Sequence, residues 1–332
     1  MPHCRQRLVR PRALGLPLFL LLTLLLGACQ EARRDDAARV KTTARRPTRA
    51  ELLRQDSLRV DSVARVGGQL PGAILPEQRI VAFYGSATHK TMGVLGQYPK
   101  DEMLRRLDQQ VQAWRRADPA QPIRPALHMV AVIAQRDAGP DGKYRELQPD
   151  SVIRRMIRWG HAHQCLVFLD VQVGLSNLQA ELPRLAPYLQ DSIVHLGIDP
   201  EFSMKSGRRP GTEVGEFDAA DINYARQFLA RLVSRHRLPP KVLVVHRFRQ
   251  DMITNYRKIK LDPRVQVVMH MDGWGTPGVK RSSYRKYIRA EPVQYAGIKI
   301  FFKNDLKMDK SRLMTPREVA ALRPDPLYIQ YQ

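Results

Sequence analysis

Eight short apolar runs, each followed by a segment with helical spacing or a polar loop, divide the chain from residue 79 to its end. They are IVAFYG (80–85), ALHMVAVIA (126–134), CLVFLDVQV (165–173), VHLGIDPEF (194–202), KVLVVHRF (241–248), VQVVMHMD (265–272), YAGIKIFF (295–302) and PLYIQYQ (326–332). Val, Ile and aromatic residues dominate them, as they do in strands. Apolar spacing between the runs predicts helices over 101–116, 149–161, 177–189 and 218–236, with shorter ones over 250–258, 282–288 and 315–322. Asp101 and Thr315 fit N-cap positions, and Pro316 suits a first helical turn.

Eight strand–helix alternations within about 255 residues indicate an α/β fold of the (β/α)8 barrel type over 77–332. The alternative is an open, doubly wound sheet. Its nucleotide-binding form carries a glycine-rich phosphate loop after the first strand, and none follows residues 80–85. No internal repeat is evident.

The N-terminus is of another kind. Arg5, Arg7, Arg10 and Arg12 precede the apolar stretch LGLPLFLLLTLLL (14–26) and then Gly27, Ala28 and Cys29. A basic start, a short apolar core and small residues describe an export signal. The apolar stretch is about 13 residues, against about 20 for a membrane span. Leu26-Gly27-Ala28-Cys29 resembles the lipobox of bacterial lipoproteins. That resemblance implies removal of residues 1–28, lipid on Cys29 and attachment to a membrane in the cell envelope, and Gln30 after the cysteine points to the outer membrane if the host is Gram-negative. With Cys4 removed and Cys29 lipidated, only Cys165 remains, so no intrachain disulfide is expected. Its apolar run predicts a buried small hydrophobe. Residues 29–76, rich in Ala, Arg, Thr, Asp and Gln, read as a flexible linker, with a short helix conceivable over 50–66.

Residues 1–66 hold 14 Lys and Arg against 6 Asp and Glu, so part of the net charge of +23 belongs to the leader and linker. A basic exterior suits anionic lipid or acidic polymers. No nucleic-acid-binding motif is present, and an exported protein meets little nucleic acid.

Strand alternation sorts the runs into two faces. Val194, Leu196 and Ile198 belong against the outer helices, which turns His195, Gly197, Asp199 and Glu201 inward. The same parity turns Asp170 and Gln172 inward on the third run, His270 and Asp272 on the sixth, Lys299 on the seventh and Gln330 on the eighth. Tyr84 and His246 are the inward tips of the first and fifth. Four acids, two histidines and a lysine thus converge on the C-terminal mouth, where barrel active sites sit. Buried carboxylates are costly unless paired or functional. A purely structural ion pair, such as Lys299 with Asp272, is the competing explanation.

Asp199-Pro200-Glu201 is the sharpest local feature. Two acids at i and i+2 share a strand face, and Pro200, lacking an N–H, marks the strand end. Like-charge repulsion keeps one carboxyl protonated beside an ionised one, the pairing that glycosidic cleavage uses. Asp-x-Glu at the end of a fourth barrel strand resembles the signature of chitinase-type and muramidase-type glycoside hydrolases. The resemblance implies Glu201 as general acid and Asp199 as its orienting or charge-stabilising partner. The longer acidic repeat that leads into the chitinase motif is absent, since His195-Leu196-Gly197-Ile198 stands there. The domain also resembles bacterial lipoproteins with a predicted sugar-hydrolase barrel. On this reading Asp170 and Asp272 support the developing charge, and Tyr84, Gln172, His246, His270, Trp274, Lys299 and Gln330 contact a cell-wall or surface polysaccharide. Direct carboxylate chemistry requires no metal or other cofactor.

The loop 85–96 is a candidate for folding over the mouth, and the loop 205–215, basic and flexible in composition, for moving or contacting an acidic ligand. Two other functions compete. A non-catalytic carbohydrate binder or envelope-structural protein keeps the barrel without turnover. A metal-dependent hydrolase uses His246 and His270 as ligands, as amidohydrolase-type barrels do, but the first run ends Phe83-Tyr84-Gly85-Ser86, without the His-x-His of that family. Lys299 as a Schiff-base lysine lacks any other sign of a carbonyl substrate. The number of chains in the assembly is not legible in the sequence.

Overall fold

The computed structural model describes residues 51, 69–309 and 311–332. The signal sequence, Cys29, most of the linker and, apart from Glu51, the helix expected over 50–66 therefore lie outside the described residues.

Eight parallel strands close into a barrel: β1 (Arg79–Gly85), β2 (Ile123–Ala134), β3 (Leu166–Val171), β4 (Val194–Ile198), β5 (Lys241–Arg247), β6 (Val265–Met271), β7 (Tyr295–Ile300) and β8 (Pro326–Tyr331). Each pairs with its sequence neighbours. Closure is made by β1, which pairs with β2 on one side and β8 on the other, Ile80 opposite both Arg124 and Tyr328. An open sheet leaves its first strand at an edge or a switch point; this one has no such edge. The fold is a TIM-type α/β barrel.

Among the described residues six helices surround it: α1 (Lys100–Ala117), α2 (Asp150–Ala162), α3 (Leu178–Leu189), α4 (Ala219–His236), α5 (Pro277–Tyr284) and α6 (Pro316–Ala320). Met103, Leu107, Val111 and Trp114 form the buried stripe of α1, with the Trp114 indole N–H donating to the Tyr331 hydroxyl at 3.0 Å. Asn177 caps α3, accepting from Ala180 N–H at 2.9 Å. Thr315 caps α6 with a reciprocal Glu318 contact, and Pro316 opens that helix as expected. Asp101 does not cap α1: the N-cap is Pro99, and Asp101 and Glu102 sit in the first turn, where acids complement the helix dipole. The helix expected over 250–258 is absent. Asn255 adopts φ +54°, which breaks a right-handed helix. Ile253–Thr254 instead pairs with Phe217–Asp218, and a 3-10 turn covers Tyr256–Lys258. The helix expected over 282–288 starts earlier, at Pro277 after its cap Thr276, and runs into a π-helical turn over Arg285–Arg289.

The strand faces follow the parity of the sequence. Val194, Leu196, Ile198, Val265, Val267, Met269, Met271, Ile298, Ile300 and Ile329 pack in the layer between sheet and helices. The lower lumen is filled by Ile80, Ala82, Ala126, Leu166, Phe168, Val242, Val244, Val268 and Tyr328. Leu327, expected on the outer face, joins this inner group; the register of β7 against β8 shifts at Ala296/Gly297, next to it. Ile74 and Leu75 close the N-terminal end, their backbone N–H groups donating to Gln266 Oε1 at 2.9 and 3.2 Å. His195, also turned inward, is buried against Phe168 in the lower lumen, its Nδ1 accepting the Val242 backbone N–H at 3.0 Å, while the acids singled out from sequence gather in the C-terminal half. Cys165 is buried, and burial pushes its thiol up to about 12. Among the described residues no helix is long and apolar enough to cross a membrane.

Candidate active site

A cleft of about 440 Å³ opens at the C-terminal mouth, its wall including Tyr84, Gln172, Asp199, Glu201, Asp272, Trp274 and Lys299. The chain that follows β4 builds its acidic side. The strand ends at Ile198, four residues before the apolar run does, and Pro200–Phe202 form a 3-10 turn. Asp199 remains extended (φ −115°, ψ 101°) and caps that turn, its Oδ1 accepting the Glu201 backbone N–H at 3.1 Å. Glu201 therefore reaches the cleft from a turn rather than by strand alternation. Gln172 donates to Asp199 Oδ2 at 3.2 Å.

Below this pair the lumen holds a chain of alternating charges. The Tyr84 hydroxyl donates to Asp170 Oδ2 at 2.9 Å. His246 lies between two carboxylates, Nε2 3.5 Å from Asp170 Oδ1 and Nδ1 2.8 Å from Asp272 Oδ2. Lys299 Nζ approaches Asp272 Oδ1 at 3.0 Å and stands 3.8 Å over the Tyr84 ring. The structural ion pair weighed from sequence is thus present, but as one link in a longer network.

The same network sets the protonation states. Burial works against a charged His246, yet Asp170 and Asp272 push it up to about 10. Burial alone would raise Asp170; the His246 charge, with His128 beside it, holds it well below the usual carboxylate range. Burial likewise opposes an ionised Asp272, which Lys299 and His246 hold low. Glu201 and Asp199 move the other way. Burial, then the charges of Asp199 and Asp272, push Glu201 up to about 8. Burial raises Asp199 to about 6, opposed by His246 and reinforced by Asp170 and Asp272. At neutral pH the cleft therefore presents a protonated carboxyl on Glu201 beside ionised Asp199 and Asp272.

The residues singled out from sequence fall into two levels. Tyr84, Gln172, Asp199, Glu201, Asp272, Trp274 and Lys299 reach the cleft. Asp170, His246, His270 and Gln330 are fully buried beneath it. Trp274 is 52% exposed and offers an open ring, whereas Tyr84 is 3% exposed with Lys299 over one face, part of the floor. Of the two loops, 85–96 sends Met92 into the cleft wall, and 205–215 contributes no lining residue.

Sequence reasoning passed over His128. It lies on β2, fully buried, with its ring 5.7 Å from that of His246 and Nε2 3.6 Å from Asp170 Oδ1. The signal was available: Ala126 turns into the lumen and Leu127 and Met129 turn out, so His128 shares the inward parity. Among the described residues the three groups able to share a metal ion are His128, Asp170 and His246, rather than the pair of His246 with His270. Phe202, Phe248, Ser283, Phe301 and Gln332 also line the cleft and were not anticipated.

No protein-family model matches the chain, and no curated protein matches it. Solved structures show a distant likeness in fold. The Clostridial cellulose synthase subunit Z from Clostridioides difficile aligns with a TM-score of 0.40 and 10% identity, over 77% of this chain and 92% of that one. A GH18 chitinase from Pseudoalteromonas aurantia aligns at 0.36 and 11% identity, over 77% and 94%. The Podospora anserina GH26-CBM35 beta-(1,4)-mannanase aligns at 0.34 and 12% identity, over 76% of this chain and 56% of that one.

Proposed function

We propose that the protein is a glycoside hydrolase acting on a cell-wall or surface polysaccharide by carboxylate acid–base chemistry, held in the bacterial envelope by lipid on Cys29. One observation carries the catalytic part: Glu201, Asp199 and Asp272 line a single cleft in which Glu201 stays protonated to about 8. Glycosidic cleavage needs a proton on the leaving oxygen and negative charge near the sugar carbon as it turns oxocarbenium-like. Glu201 supplies the proton. Asp199 and Asp272 supply the charge, and Asp170 supports them from beneath through His246. Trp274, the open ring of the cleft, stacks on a sugar face.

The test is release of reducing ends from a panel of cell-wall and capsular polysaccharides. Glu201→Gln keeps size and hydrogen bonding but cannot donate the proton. Turnover of a substrate that needs leaving-group assistance is expected to fall about 10²- to 10⁴-fold. Cleavage by Glu201→Gln at the wild-type rate rejects the mechanism. A polysaccharide that binds at the mouth and is never cleaved favours the non-catalytic binder.

A further inference from the structure

Beneath the cleft floor, three side-chain atoms from three strands face one another with no hydrogen bond among them. Nε2 of His128 and Nε2 of His246 lie 3.6 and 3.5 Å from Oδ1 of Asp170, and all three lie within 4.8 Å of one another. These separations are too long for hydrogen bonds. Each atom is buried and without any other hydrogen-bond partner. Buried polar atoms are rarely left so, and three that share one point ask for a common occupant.

The outer end of each side chain is held. Asp170 Oδ2 accepts from Tyr84 at 2.9 Å, His246 Nδ1 meets Asp272 Oδ2 at 2.8 Å, and His128 Nδ1 meets the Tyr328 hydroxyl at 2.6 Å. Metal ligands have this construction: an outer partner fixes the ring or carboxylate and its tautomer, and the inner atom stays free to bind. Space is kept as well. A Cβ on Gly197 of β4 would stand 2.4 Å from Asp170 Oδ1 and 2.6 Å from His128 Nε2, so only glycine leaves room between β3, β2 and the facing His246.

We infer that His128, Asp170 and His246 bind a divalent transition-metal ion, with zinc the best match. Two imidazoles and a carboxylate are zinc donors. An ion about 2.0–2.2 Å from each donor in tetrahedral geometry sets the donors about 3.3–3.6 Å apart, which the two separations from Asp170, 3.5 and 3.6 Å, meet; the two imidazoles lie within 4.8 Å of one another. Calcium and magnesium prefer shells of oxygen, which two imidazoles do not provide. The rival occupant is a proton on His246. It serves Asp272 and weakly Asp170, but leaves His128 Nε2 unaccounted for. Against His128 Nδ1 lies the Gln330 amide nitrogen at 3.0 Å, while the amide oxygen has no partner. A half-turn of that amide lets the oxygen accept from Nδ1–H, the tautomer that frees Nε2. All three ligands are fully buried and none lines the cleft, so the ion braces its floor, fixing Tyr84 through Asp170 and Asp272 through His246. The site stands independently of the carbohydrate reading.

The experiment strips the purified full-length protein with a chelator and titrates it with Zn²⁺ and, separately, Co²⁺. One equivalent of zinc should bind and raise the Tm, and cobalt should give the intense visible bands of a tetrahedral site. His128→Gln should lose stoichiometric uptake. Tyr328→Phe removes one of the two partners of His128 Nδ1, leaving the Gln330 amide, and should weaken zinc binding about 10- to 100-fold. Wild-type protein that takes up neither ion overturns the inference, whatever the variants do. So does stoichiometric uptake that both variants retain at wild-type affinity, since the ion then lies elsewhere.

Discussion

Asp199 holds Glu201 through the chain itself: its Oδ1 accepts the Glu201 backbone N–H at 3.1 Å, so the residue that follows β4 and caps the next turn also fixes where the rim carboxylate stands. Burial, then the charge of Asp199, pushes Glu201 up to about 8, while burial, with Asp170 and Asp272, raises Asp199 to about 6. One residue thereby positions the other and sets the pH range over which it keeps its proton.

A pH–rate profile reads this directly. Activity should rise as Asp199 loses its proton near pH 6 and fall as Glu201 loses its own near pH 8, the two limbs belonging to the pair rather than to either acid alone. Asp199→Asn should flatten the acid limb. It should also move the alkaline limb to lower pH, because the neighbouring charge that raises Glu201 is gone. An alkaline limb that stays in place in Asp199→Asn rejects the coupling.

Most of the inward set was legible because alternation along a strand depends only on counting from an apolar face. Asp170, Gln172, His246, His270, Asp272, Lys299 and Gln330 all turn into the lumen as counted. Depth was not legible. Asp170 and Asp272 share a parity, yet one is sealed under Tyr84 and the other reaches the cleft, because barrel strands are staggered and the layer a residue occupies depends on its neighbours' register. His128 was lost in an apolar run whose faces carry no charged tip to orient the count. Phe202, Phe248 and Gln332 lie past strand ends, where alternation stops, and Ser283 stands on helix α5, outside any strand count. Pro200 did announce that stop, and the 3-10 turn begins at it.

Lys299 is the cationic end of the luminal network, its side chain 4% exposed and 3.0 Å from Asp272. Removing one partner of a buried pair leaves a buried charge without its counterpart, at a cost of about 3–5 kcal/mol. Lys299→Met is isosteric enough to pack over Tyr84 but carries no charge. Urea unfolding should show a loss toward the lower end of that range, since His246 still faces Asp272 at 2.8 Å. A change within about 0.5 kcal/mol, the usual effect of a surface substitution, means that the pair contributes little.

The anchor rests on sequence, since Cys29 lies outside the described residues. Cys29→Ser should abolish incorporation of a fatty-acid analogue and leave the chain unprocessed or released from the membrane fraction. Equal labelling of wild type and Cys29→Ser removes the lipoprotein assignment and leaves the barrel chemistry untouched.

Stability should carry the mark of Glu201 even before a substrate is found. In the unfolded chain this carboxyl ionises near 4.5, and in the fold burial and the neighbouring acids raise it to about 8. A group raised on folding binds its proton more tightly in the native state. Its stabilising effect is complete below about pH 4.5 and is lost progressively as pH climbs through 8, because the unfolded chain releases the proton first. Glu201→Gln removes that loss while keeping the side chain's shape. The Tm of Glu201→Gln relative to wild type should therefore increase across pH 5 to 8 and level off above it. In an Asp199→Asn background, where part of the repulsion is absent, the rise should level off at a lower pH and reach a smaller total. Parallel Tm curves for wild type and Glu201→Gln over the whole range would mean that Glu201 ionises in the fold as it does in the unfolded chain, and the general-acid assignment would lose its electrostatic basis.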